Sequence, residues 1–132
     1  MIEQFTLSTS SRNQLIDVTD IVSDYVQRSG VKSGICLVYT PHTTAAITVN
    51  ENADPSVKSD IIRKLTDIFP QNDNYDHSEG NSDAHLKSSV VGCSQTLLIK
   101  NGSLLLGTWQ GIYFCEFDGP RRRQYFVKVL PG

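Results

Sequence analysis

Several common signatures are missing from this sequence, and each absence removes a class of protein. No CxxC pair and no HExxH occur, so neither a thiolate zinc cluster nor a helix-borne zinc protease site is indicated. Without GxGxxG or GxxxxGK[ST], the usual dinucleotide and nucleotide-phosphate loops are not indicated either. The three cysteines, Cys36, Cys93 and Cys115, are odd in number and widely spaced. That argues against a disulfide framework and for reduced thiols, with Cys36 and Cys115 in strand-like runs as small core residues. No apolar run approaches the about 20 residues of a membrane span, and the opening MIEQFTLSTSSRNQ lacks the basic start and apolar block of a secretory leader. A cytosolic chain without membrane association is expected. Excess positive charge is missing too: a formal net charge of -2 argues against a nucleic-acid partner.

What is present fits one globular domain over residues 1–132, with 39% hydrophobic and 20% charged residues. Period-two alternation predicts a strand over 2–8 and, past a polar turn, another over 15–18. Thr19 reads as the cap of a helix whose buried stripe is Ile21, Val22, Tyr25 and Val26, stopped by Gly30. Residues 35–39 (ICLVY) and 45–49 (AAITV) read as two adjacent buried strands. Asp54 before Pro55 has the order of a helix start, with Val57, Ile61, Leu65 and Ile68 on one face and Pro70 at the end. Residues 71–80 read as a polar loop of a length that tends to be functional. Ser82 reads as the cap of a helix over 83–91 that Gly92 ends. Strands over 95–100 and 103–106 flank Asn101-Gly102, a strong hairpin signal. Strands over 108–117 and 124–130, joined by Asp118-Gly119-Pro120, read as a second hairpin. The fold class is α+β: a largely antiparallel sheet or sandwich with about three helices on one side.

The residues with chemical potential fall in three blocks. The first is Thr40–Pro55 (TPHTTAAITVNENADP), with His42 at one end and Glu51 at the other. Nine positions separate them, about 30 Å of extended chain, so either the segment bends or a neighbouring subunit completes each end. Asp54 reads as a helix cap, whereas Glu51, between two asparagines, suits hydrogen bonding, proton transfer or plain exposure. The second block carries His77 and His85. All three histidines sit at element edges near Asn, Asp or Glu, which suits acid/base work, simple hydrogen bonding, or ligation of Mg2+ or Zn2+ by His42, His77 and His85. The third is Gly107–Gly111 followed by Glu116–Arg123. Trp109 is either a core aromatic or a flat face for a ring, and strand alternation aims Arg121 and Arg123 to one side, where they can grip a phosphate or carboxylate. No nucleophile elbow supports Ser/His/Asp hydrolysis.

On His42–Pro55, on Glu79-Gly80-Asn81 with Ala84-His85-Leu86-Lys87, and on Gly107–Ile112 followed by Glu116–Arg121, the chain resembles the YjbQ-type family. Some members are labelled secondary thiamine-phosphate synthase, and the similarity runs from roughly Ile2 to Leu130. The resemblance implies a YjbQ-like α+β fold that assembles as a homotrimer, with the motif residues in a pocket near the subunit contacts. It also implies a weak ability to join a pyrimidine diphosphate to a thiazole phosphate. His42, Glu51, Asn81, His85, Trp109 and Arg121 occupy motif positions, while Cys93 falls where the family more often shows a small polar residue. On this reading His42, Glu51 and His85 handle or orient protons. Arg121, Arg123, Lys87 or a bound Mg2+ stabilise the leaving diphosphate, Trp109 stacks on a ring, and Thr43 and Asn81 add substrate contacts. Two other readings stand beside it: a metal-assisted hydrolase or phosphatase built on the histidines, and a non-catalytic binder of a small anionic metabolite.

Overall fold

A computed structural model describes residues 2–132. The elements run β1 (Ile2–Ser8), β2 (Gln14–Asp17), α1 (Thr19–Ser29), β3 (Ser33–Tyr39), β4 (Ala45–Glu51), α2 (Pro55–Ile68), α3 (Ser82–Val91), β5 (Ser94–Lys100), β6 (Ser103–Leu104), β7 (Gln110–Glu116) and β8 (Arg122–Pro131). The strands form a five-stranded sheet, β1-β8-β3-β5-β6, and a three-stranded sheet, β2-β7-β4. Every pairing is antiparallel. The α+β class and its three helices are as the sequence indicates.

The two sheets face each other across the main core. Cys36, Val38, Leu97, Ile99, Tyr125, Val127 and Val129 from the larger sheet meet Ala45, Ile47, Ile112 and Phe114 from the smaller, with Val22, Tyr25 and Val26 of α1 at the side. A second core lies on the outer face of the small sheet, where Ala46, Tyr113 and Cys115 pack under Ala84 of α3 and Ile61, Ile62 and Leu65 of α2. Burial on both faces explains why β4 and β7 read as nearly continuous apolar runs. β1 has one covered face and alternates. No element of the described chain covers the outer face of the larger sheet, where Ile2, Tyr39, Leu98 and Leu130 are exposed.

Three local expectations hold. Asp54 caps α2 by accepting from Ser56 N at 2.9 Å. Gly30 closes α1 at φ 73°, and Asn101 and Gly102, at φ 54° and 80°, turn β5 into β6. Others are corrected. Thr19 is already helical: the N-cap position is Val18, which makes no side-chain capping bond, and Asp17 before it accepts from Thr19 N at 2.9 Å. Ser82 likewise follows the N-cap, Asn81. Ile21 and Ile68 are exposed. β3 and β4 lie in different sheets, and β7 and β8 do not form a hairpin. β7 pairs with β2 and β4, while β8 pairs with β1 and β3. Of the strand-to-strand connections among the described residues, only β5–β6 stays within one sheet.

Candidate functional site

Because β7 and β8 belong to opposite sheets, the turn between them crosses one end of the sandwich, and an ion pair clamps the crossing. Glu116 of β7 and Arg123 of β8 are 0% and 3% exposed. The Glu116 carboxylate accepts from Arg123 Nε at 2.8 Å, from Thr9 Oγ1 at 2.7 Å and from the Asp118 N–H at 3.0 Å, with a further bond from Arg123 Nη2. Arg123 Nη2 also donates to Thr44 Oγ1 at 2.8 Å. Burial by itself raises the carboxyl pKa, but Arg123, the Asp118 N–H and Thr9 outweigh it and hold Glu116 below its ordinary value. Gly119 permits the close crossing, since a Cβ there would sit 2.3 Å from the Ser11 carbonyl oxygen.

A second polar cluster adjoins it. Arg12 bridges Asp83, at 2.9 Å, and Asp118, at 3.4 Å. Asp118 also accepts from Asn81 Nδ2 at 2.9 Å and from Arg121 Nη2 at 3.1 Å. Lys87, fully buried, donates to Asn13 at 3.1 Å and to Thr66 and Asp83 at 3.4 Å. Its burial pushes the ammonium pKa down, with Asp83 opposing. Asn81 Oδ1 and Arg12 Nε are buried here without a hydrogen-bond partner among the described residues.

His42 stands at the mouth of this end. Its Nε2 accepts the backbone N–H of Gln124 at 3.0 Å. Burial lowers its pKa, Arg123 and Arg121 lower it further, and Glu116 opposes them. One hollow of about 250 Å³ beside it is lined by Thr6, Arg122, Arg123 and Gln124. A larger cleft of about 560 Å³ on its other side is lined by Tyr39, Thr43, His85, Ser88 and Cys93. The cleft wall is fixed by Ser88 Oγ donating to the Ala45 carbonyl at 2.6 Å and Ile47 N donating to the Gly92 carbonyl at 3.0 Å.

The structure thus brings His42, Thr43 and His85 to one cleft, with Arg121 and Asn81 in the neighbouring cluster. Lys87 and Arg123 are near but already committed, because their charges are matched by Asp83 and Glu116. Arg121 precedes β8, so alternation does not align it with Arg123; it folds back onto Asp118. Glu51 and Trp109 lie elsewhere. Along β4 and β7, Ala45 pairs with Glu116 while Glu51 pairs with Gln110, which puts Glu51 about 20 Å from the Glu116 end at strand rise. Its carboxylate accepts from the N–H groups of Ala53 and Asp54, at 3.0 and 3.3 Å, ordering the entry to α2. Trp109 is 61% exposed on a turn closed by Gln110 Oε1 and Gly107 N at 2.8 Å.

The histidines do not converge as metal ligands. His77 packs edge-on to His85 at 5.5 Å between ring centroids, with its Nε2 3.7 Å from Glu79. Among the described residues no three His, Cys, Asp or Glu side chains are grouped to hold a metal ion. Arg12, Asn13, Thr9, Thr44 and Asp83 were not visible as site residues in the sequence, because polar residues of loops and helix starts look alike until distant segments meet them. The one available signal was the density of polar residues around the Glu116–Arg123 motif, which needs buried partners somewhere.

These features define a small two-sheet α+β protein with a histidine-lined cleft and an adjoining arginine-lined hollow at the end where β7 crosses to β8. The sequence profile described as UPF0047 protein YjbQ-like matches residues 3–132, and the chain belongs to that family. A UPF0047 protein of Methanocaldococcus jannaschii is 57% identical over 130 residues, covering 98% of this chain and 94% of the relative. UPF0047 protein YugU of Bacillus subtilis is 50% identical over 131 residues, covering 98% and 99%. A crystal structure of a YjbQ/UPF0047 family protein from Clostridium acetobutylicum superposes with a TM-score of 0.95 at 54% identity, covering 97% of this chain and 99% of that one. A YbjQ-like protein of unknown function from Sulfolobus solfataricus gives a TM-score of 0.96 at 34% identity, covering 100% and 97%.

Proposed function

We propose that the cleft at His42 binds the phosphate of a small phosphorylated heteroaromatic metabolite and supports a weak thiamine-phosphate-synthase-like transfer. The observation that carries this reading is a half-buried imidazole placed between two hollows, the smaller of which is also lined by Arg122 and Arg123. Phosphoryl oxygens need such donors and positive potential. In the transfer, a thiazole ring nitrogen bonds to the pyrimidine methylene carbon as the carbon–oxygen bond to diphosphate breaks. The electron pair leaves with the diphosphate, so no proton has to be removed. Stabilising the leaving oxygens is then the main task, and this reading assigns it to His42 and Arg122 beside the smaller hollow, to Arg121 once it turns from Asp118, and to His85 in the larger cleft.

The same proposal includes self-association as a homotrimer in the cytosol. The uncovered face of the larger sheet presents Ile2, Leu37, Tyr39 and Phe126 around one apolar hollow and Ile35, Leu98, Leu105 and Leu130 around another. Tyr39 belongs both to that face and to the His42 cleft, so a second copy seated there would wall the cleft. No described helix is long and apolar enough to cross a membrane, and the three cysteines are unpaired, which suits a reducing compartment.

The test is to incubate the purified chain with the pyrimidine diphosphate and thiazole phosphate precursors and Mg2+, and to compare wild type with His42→Ala, His85→Ala and Arg121→Ala. Product formation that falls in the His42 and Arg121 variants is expected. Equal product from all four proteins contradicts the proposal. Sedimentation at micromolar concentration reads out the trimer, and a monomer contradicts that part.

A further inference from the structure

The ladder between β3 and β8 ends at the pair Tyr39–Phe126. Beyond it Pro41 has no N–H to offer, yet Gln124 of β8 still has a backbone N–H and C=O to satisfy. In an antiparallel sheet these two groups of one residue point toward the same neighbour. Both are met by side chains of the departing strand: Thr40 Oγ1 donates to the Gln124 carbonyl at 3.1 Å, and the Gln124 N–H donates to His42 Nε2 at 3.0 Å. Thr40 and His42 therefore continue the sheet by one residue after the backbone has left it.

This fixes the chemistry of the ring. An imidazole nitrogen that accepts a hydrogen bond carries no proton, so in the neutral ring the proton is on Nδ1. From this geometry we infer that His42 meets its ligand as a hydrogen-bond donor through Nδ1 and recognises an acceptor oxygen, and that it does not serve as a base. The inference rests on the phosphate reading above for the identity of that oxygen; the assignment of the ring proton does not. Among the described residues no protein acceptor is bonded to Nδ1, while the ring lines both hollows. The charged groups around it are Arg121, Arg123 and Glu116, with Arg122 lining the same hollow. With Arg123 already tied to Glu116, a neutral donor adds a directed bond to an anion without another confined positive charge. Thr40 is a positioning residue, since it holds the same Gln124 unit that orients the ring.

The experiment is long-range 1H–15N correlation of the histidine rings in the full chain, with the three histidines assigned by single His→Gln variants. His42 is expected as the Nδ1–H neutral form at pH 7, and sodium pyrophosphate is expected to shift its Nδ1 signal. An Nε2–H ring, or an imidazolium at pH 7, overturns the inference. An Nδ1–H ring indifferent to pyrophosphate sustains the ring assignment and overturns the phosphate reading, so the two failures are distinguishable. His42→Gln, whose side-chain oxygen can still accept from Gln124, removes the Nδ1 donor and should weaken pyrophosphate binding by roughly tenfold or more. Unchanged affinity in that variant overturns the donor role. If the variant does not fold, the wild-type ring spectrum decides alone.

Discussion

The two ends of the β4–β7 strand pair both carry polar motif residues and use them in opposite ways. At the Ala45–Glu116 end, charges are buried and matched: Glu116 with Arg123, and Asp83 with both Arg12 and Lys87. At the Glu51–Gln110 end the polar groups organise backbone near the surface, with Glu51 ordering the start of α2, Asn52 N bonded to the Trp109 carbonyl and Gln110 closing its own turn. Motif density alone therefore does not mark a binding site. A half-buried ring that lines open hollows and keeps a donor unmatched does, and that condition is met at His42.

The largest expected effect separates the ends by stability. Glu116→Ala leaves Arg123 buried and unpaired and should cost about 3–5 kcal/mol in urea unfolding. A cost near about 1 kcal/mol, the size of an exposed pair, would mean that the clamp between the sheets is not as buried as described. At the other end Glu51→Ala and Asp54→Ala each remove acceptors for α2 entry N–H groups and should cost about 1 kcal/mol apiece by the same measurement. Losses there as large as that of Glu116→Ala would erase the distinction between the ends.

A pH series sharpens the comparison further. His42 binds its proton less readily in the folded chain than an ordinary histidine, of pKa about 6.5. Below that value the unfolded chain takes up a proton the native state resists, so stability falls as pH drops from about 6.5 toward the lower native pKa and is unaffected above it. His42→Gln should lack this component. Glu116 acts in a more acidic window: its native pKa is depressed, so its contribution is present above the unfolded value of about 4.3 and is lost as pH falls through the native one. A stability profile that is flat from pH 7 to 5 in wild type would contradict the His42 environment. Trp109→Ala, the smallest effect, should change stability by less than about 0.5 kcal/mol, as for an exposed side chain without buried contacts.

Local grammar carried much of the fold. Asp54-Pro55 declared the start of α2 and Asn101-Gly102 the β5–β6 turn, because caps and tight turns are decided by a few adjacent residues. Strand partnership was not legible in the same way. β7 and β8 are neighbours in sequence, but β8 pairs with β1, Ser8 opposite Arg122, and nothing in a short window reports a partner from the far end of the chain. The site followed the same division. His42, His85 and Arg121 stood out by residue type and Asn81 by the family resemblance, whereas Arg12, Thr9, Thr44 and Asp83 acquire meaning only once distant segments meet at the crossover. Arg123 was visible as a positive charge, but whether it was free depended on Glu116, a residue on the other sheet.

The most direct trial of the central claim, that the His42 end is the binding end, is backbone amide mapping of the full chain during titration with sodium pyrophosphate. Shifts concentrated at Thr6, His42, Thr43 and Arg121–Gln124, with none at Glu51 or Trp109, are predicted. Shifts concentrated at Glu51, Asn52 and Trp109, or no saturable shift at either end, would contradict it.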